Sequence, residues 1–184
     1  MNKHLTLIIQ KSSWKKAVLF SAIFVIFYVV INFSDIGVAG LLKITGGANI
    51  LDFAIGYTKL EAYQMLSALG TEGMSFYITK ILPMDFVFPI SYTLFYIGWI
   101  AVLIKNSTLK SQFNYLILVP IFGMVFDWLE NIGIIVLINT YPNLSSWAVF
   151  LASNAGILKA IFSAGIPVII IILVIVLFIQ KQRK

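Results

Sequence analysis

Apolar positions run in long unbroken stretches along this chain, at residues 17–33, 81–104, 113–138 and 157–179. At 1.5 Å per residue each is long enough for a helix to cross a hydrocarbon layer of roughly 30 Å. The stretches show neither the two-residue alternation of a half-buried strand nor the narrow stripe of a surface helix. A helix that is apolar on every side belongs in a bilayer, where it satisfies its own backbone hydrogen bonds without water. The pattern predicts an all-α polytopic membrane four-helix bundle, one integral membrane domain over residues 1–184. No internal repeat and no linker divides it.

Charge sets the expected orientation. Lys3, Lys11, Lys15 and Lys16 precede the first stretch, Lys105 and Lys110 separate the second from the third, and Lys181, Arg183 and Lys184 follow the last. By the positive-inside rule these segments, and with them both termini, lie in the cytoplasm, and the expected address is a bacterial inner (plasma) membrane. Residues 140–145 carry no charge, and residues 34–80 balance Lys43, Lys59 and Lys80 against Asp35, Asp52, Glu61 and Glu72; both segments are expected outside. Gly37 and Ala39 give the small-x-small spacing of a signal-peptide cleavage site. The preceding run is longer than the roughly 7 to 15 residues of a signal core, which favours an uncleaved helix.

The outer segment at 34–80 is too apolar for disorder and far longer than an ordinary loop. Thr58 and Glu61 match a capping box, and Leu60, Tyr63, Met65, Leu66 and Leu69 then form an amphipathic face that Gly70 is expected to end. Gly46, Gly47, Gly56 and Gly73 cut the remainder into short pieces. A helical extracytoplasmic lid over the ends of the spans is expected, the plainer alternative being a helix resting on lipid.

Composition sharpens the class. Of 184 residues, 60% are hydrophobic and 11% charged, with a mean hydropathy of +0.99, against about 25% charged in soluble domains. The absence of Cys and the single His, His4 in the basic leader, exclude disulfide frameworks, haem attachment, thiol catalysis and His/Cys zinc sites within the membrane. No cofactor is implied. The net charge of +6 sits at segment ends without an interleaved aromatic patch, so its partner is the lipid bilayer and not nucleic acid.

Ionisable groups inside spans are costly and are therefore the functional candidates. Counted from the cytoplasmic boundaries, Asp85 lies roughly 29 Å, Asp127 roughly 21 Å, Glu130 and Asn131 roughly 25 to 27 Å and Lys159 roughly 30 Å across. Asp35, just past the first span, falls at the same level under the lid. At about 100° per residue Asp127, Glu130 and Asn131 share one helix face, and Asp85, Tyr92 and Tyr96 share a stripe. Pro89 cannot donate to the Asp85 carbonyl, which stays free for another donor or an ion. Together these residues predict one outward-opening polar pocket.

Each element also has a plain reading. Lys159 with Glu130 or Asp127 can be a structural ion pair, Asp85 can snorkel to headgroups, and Trp14, Trp99 and Trp147 fit interface belts. Asp127 and Glu130 are the strongest signal: two carboxylates one turn apart repel, so one must hold a proton or bind a cation. Those two are the expected catalytic pair, with Asp85, Tyr92, Tyr96, Asn131, Lys159 and Asp35 binding a ligand. Any metal would be magnesium or calcium on Asp85, Asp127 and Glu130.

Gly70-Thr71-Glu72-Gly73, Tyr77, Met84-Asp85-Phe86-Val87-Phe88-Pro89 with Tyr92, Asp127-Trp128-Leu129-Glu130-Asn131 and Lys159 resemble an uncharacterised family of small four-span bacterial membrane proteins. Its most specific parts are the Asp-x-x-Phe-Pro-x-x-Tyr and Asp-x-x-Glu-Asn patterns, and the resemblance implies no reaction. In topology alone the chain is also similar to the EXPERA group, the sigma-2 receptor and sterol-isomerase-like proteins. That likeness implies a pocket for a lipid-like amine or sterol, with acids where Asp35 and Asp85 fall; the cluster from Asp127 to Asn131 is no part of that pattern.

Three functions stay open on the sequence. The first is a carboxylate pocket that binds, or acts by acid/base chemistry on, an amphiphilic lipid-like small molecule. The second is an accessory or structural subunit whose polar face meets a membrane partner. The third is proton- or cation-coupled transport by a homo-oligomer, against which the inner halves of the spans are almost wholly apolar.

Overall fold

The computed structural model describes residues 3–183, and all regular structure among them is helical. The helices are α1 (Lys3–Gln10), α2 (Trp14–Phe33), α3 (Val38–Thr45), α4 (Lys59–Phe76), α5 (Leu82–Asn106), α6 (Val119–Thr140) and α7 (Ser146–Gln182). A 3-10 turn at Leu51–Phe53 lies between α3 and α4, a π-helical turn at Tyr77–Ile81 joins α4 to α5, and a 3-10 stretch at Ser111–Leu118 leads into α6. Four of these helical stretches, carrying α2, α5, α6 and α7, are long and apolar enough to cross a membrane, the mark of an integral membrane protein.

α5 is the hub, packing on α2 along one side and on α6 and α7 along the other. The tightest pairing joins α6 to α7, and its cause is local. A Cβ at Gly133 would stand 2.6 Å from the Ala152 Cβ, and one at Gly156 would collide with the Glu130 carboxylate. Small residues here let two backbones approach, which matters in a bilayer because lipid tails are as apolar as the side chains and supply no hydrophobic drive between helices.

Two apolar clusters hold the helices. One gathers Leu41, Leu51, Leu66, Tyr77 and Leu82 with Ile134, Leu137 and Ala152. The other gathers Leu5 and Ile9 with Ile100, Leu103, Ile117, Ile166 and Leu173. Along α5, α6 and α7 alike, the residues between these clusters include the intramembrane ionisable groups, Asp85, Asp127, Glu130 and Lys159. A polar layer therefore separates two apolar ones.

The capping box forms as expected. The Glu61 amide donates to Thr58 Oγ1 at 3.3 Å, and the Thr58 amide donates to Glu61 Oε2 at 2.7 Å. Gly70 ends the first helical run, as expected, and a second run follows at once. The glycine adopts φ 63° and ψ −179°, kinking the chain in a conformation that costs glycine little, and the helix resumes through Phe76 and the π-helical turn into α5. α7 starts well before residue 157: Ser145 Oγ accepts from the Ala148 amide, and Ala148, Val149 and Ala152 are buried. Residues 146–156 are also largely apolar and carry Ala152, the small residue that meets Gly133 of α6, so the helix begins about three turns before the longest apolar run.

Candidate functional site: a buried carboxylate layer beside a cavity

One face of α6 carries Asp127, Glu130 and Asn131, and all three are buried, the last two completely. A helix places residues three and four apart side by side, so this face is fixed by the spacing alone. Lys159 reaches in from α7. Its ammonium pairs with Glu130, stands 3.8 Å from Asp127 Oδ1 and lies 4.0 Å from Asp52 Oδ1.

Hydrogen bonds from the other elements complete the layer. The Tyr92 hydroxyl of α5 donates to Asp127 Oδ2 at 3.0 Å, and the Tyr77 hydroxyl donates to Asp52. Asn131 Nδ2 donates at 3.1 Å to the Asp85 carbonyl, which Pro89 deprives of its helical donor. Trp128 Nε1 donates to the Phe86 carbonyl at 3.0 Å one residue further along. The proline thus opens the α5 backbone, and two α6 side chains cover the opening.

Against this layer lies a cavity of about 320 Å³. Asp52, Asp85, Asp127, Lys159, Tyr92 and Tyr96 line its polar side, and Phe24, Tyr28, Ile31 and Phe88 line its apolar side. α2 thus supplies one wall while contributing no charge. Glu130 does not line the cavity; it stands behind, held by Lys159 and the close approach of Gly156.

The balance of charge and of donors is uneven. One ammonium faces three carboxyl groups, and the fourth, Asp85, has no ion pair among the described residues. Asp52 Oδ1, Asp127 Oδ1, Asn131 Oδ1 and both Glu130 oxygens are buried without a hydrogen-bond partner, although Glu130 Oε2 pairs with the Lys159 ammonium. Among the described residues the Tyr57 hydroxyl is the single unpartnered buried group able to donate, so unmet acceptors outnumber unmet donors. Most buried polar atoms find partners, so this layer is short of donors. Burying several carboxylates together is costly unless protons or cations compensate.

Asp35, expected at this level, is not brought in. Its side chain is 85% exposed just past the end of α2 and bonds Lys43 Nζ at 2.6 Å. Asp52 takes a place in the layer that the sequence did not assign to it. Its signal was present as one acid in the apolar run Ile50-Leu51-Asp52-Phe53-Ala54-Ile55, but on charge balance alone it counted as an outer-loop residue. The same change alters the expected oxygen set for a hard cation. Asp52, Asp127 and Glu130, rather than Asp85, each offer a carboxylate oxygen within 4.8 Å of the others. An all-oxygen set suits magnesium or calcium, but the Lys159 ammonium stands against all three carboxylates as a tethered cation.

No family model, curated protein or solved structure matches the chain. What can be said of function comes from the geometry above.

Proposed function

We propose that this protein binds an amphiphilic molecule drawn from the lipid phase. The apolar body lies among Phe24, Tyr28, Ile31 and Phe88, and the polar end lies against Asp85, Asp127 and Asp52. The observation that carries this reading is a buried polar layer short of hydrogen-bond donors, set directly against a cavity with aromatic walls. About 320 Å³ falls within the range of small-molecule pockets, roughly 300–1,000 Å³. A guest whose polar end brings donors or positive charge supplies what the layer lacks.

The carboxylates divide by position. Asp127, which faces the cavity and accepts from Tyr92, is the group that touches the guest and would give or take its proton; Glu130 stands behind it, paired with Lys159. Asn131 and Pro89 keep the α5 backbone aligned with this pair. The basic segments favour cytoplasmic termini in a bacterial inner membrane, which turns the layer and the helices α3 and α4 toward the outer side.

Native mass spectrometry of the full chain released from mild detergent tests the reading. The expected result is a discrete small molecule retained by the protein and lost from Asp127→Asn while the helical signal persists. A chain with nothing bound, or equal retention by the variant, would overturn it. Stoichiometric recovery with another membrane protein would instead favour an accessory role.

A further inference from the structure

A second cavity, of about 330 Å³, lies at the opposite end of the helices. Trp14 at the start of α2, Asn106 at the end of α5, Thr108 beyond it, and Leu177, Gln180 and Lys181 near the end of α7 line it. The chemistry of this lining is the reverse of the first. No Asp or Glu lines it, and none occurs anywhere in residues 1–34, 86–126 or 131–184.

Three of the lining side chains keep donors available, while Asn106 spends its Nδ2 on the Val102 carbonyl and adds an acceptor, its Oδ1. Gln180 Oε1 already accepts from the Thr108 amide at 3.0 Å, which leaves the Gln180 NH2 group to donate. The Trp14 indole N–H makes no hydrogen bond among the described residues, while its ring lies edge-on to Trp99 at 5.9 Å. Lys181 has neither ion pair nor hydrogen bond among the described residues. Its basic neighbours are already committed: Lys105 Nζ donates to the Gln10 and Ser12 carbonyls at 2.8 and 2.7 Å, and Lys16 Nζ donates to the Lys11 carbonyl at 2.8 Å. Leu177 and the Trp14 ring give the same cavity an apolar side.

We infer that this cavity is a binding site for a phosphate or phosphodiester monoanion, with the phosphate held by Lys181, Gln180 and Trp14. A cation beside the Gln180 and Trp14 donors, with no carboxylate to repel the guest, suits such an anion. The apolar side and the position at the ends of three spanning helices fit the headgroup of an anionic glycerophospholipid, and a basic pocket between helix ends is where such headgroups bind. This site stands independently of the carboxylate cavity.

The test is native mass spectrometry of the full chain titrated with dioleoyl phosphatidylglycerol, dioleoyl phosphatidylcholine or glycerol phosphate. One phosphatidylglycerol should be retained in preference to phosphatidylcholine. Lys181→Gln should weaken it about fivefold, the worth of one basic side chain at an anionic surface, and Thr108→Val should weaken it less. Lys110→Gln, a change at the same end but outside the cavity, should leave retention unchanged. Equally tight binding of glycerol phosphate would support the anion site and assign its source to a soluble phosphate. Equal losses in Lys181→Gln and Lys110→Gln would overturn the site in favour of diffuse attraction, as would binding of none of the three probes.

Discussion

α2 and the α6–α7 pair are equally apolar by sequence and are used in opposite ways. α2 buries only Ala17 and Ile31. It meets α5 through Ala17 and Phe20 against Gly98, through Phe24 stacked on Phe88 and Phe95, and through the Trp99 indole donating to Ser21 Oγ. It also walls the cavity with Tyr28 and Ile31 and leaves much of its remaining surface exposed. α6 and α7 interlock at Gly133 with Ala152 and at Gly156 with Glu130, and they enclose the only lysine that meets the buried carboxylates among the described residues. Hydropathy identifies what can enter a bilayer. The small and polar residues decide which helices hold each other once there.

The contrast can be broken most forcefully at Lys159. Lys159→Met removes the one cation from the carboxylate layer and should cost about 3–5 kcal/mol, the usual penalty for stranding a buried charge. Chemical unfolding in detergent micelles measures it; a loss below about 1 kcal/mol would mean that the layer holds its protons without the lysine. Gly133→Leu comes next. It forces a side chain into the Ala152 backbone and should destabilise by about 3 kcal/mol, the upper end of overpacking costs, visible as a lower thermal midpoint.

Asn131→Leu is the third. It strips the donor from the Asp85 carbonyl and should cost about 1–3 kcal/mol, the penalty for an unsatisfied buried acceptor. The same change should loosen α5 around Pro89, which faster amide exchange at residues 85–90 would report. On the α2 side the effects should shrink. Gly98→Ala places its new methyl 3.0 Å from the Phe20 ring, an end that can swing aside, and should cost about 1 kcal/mol or less. Val25→Leu, on an exposed apolar face of α2, should fall within about 0.5 kcal/mol of the parent. An α2 substitution that rivalled Gly133→Leu would erase the distinction between the two regions.

The parts of this molecule legible in the sequence are those that depend on neighbours along the chain. Long apolar runs gave the spanning helices, the Thr58 and Glu61 spacing gave a capping box, and the Asp127-x-x-Glu130-Asn131 spacing placed three polar groups on one face. Pro89 marked the open carbonyl that Asn131 covers. What escaped depends on chain distant in sequence. Nothing beside Asp52 indicates that Tyr77 and Lys159 will surround it, and nothing beside Asp35 indicates that Lys43 will hold it outside. Gly70 is legible as the end of a helical run, but nothing local shows that a second run resumes at once beyond the kink, with Gly73 close against Leu41 and Thr45.

The continuity of backbone through that kink has a mechanical consequence. From Thr71 the helical path runs through the π-helical turn and past Pro89 to Asn106, so the cavity-lining part of α5 is continuous with the last turns of α4 and can bend at Gly70, at the π-helical turn and at Pro89. A tilt of the segment before Pro89 that reshapes the cavity at Asp85 is carried along the same helix to its start at Thr71. A label on exposed Thr71 or Glu72, on the α5 side of the Gly70 hinge, would therefore report that motion without touching any residue of either cavity.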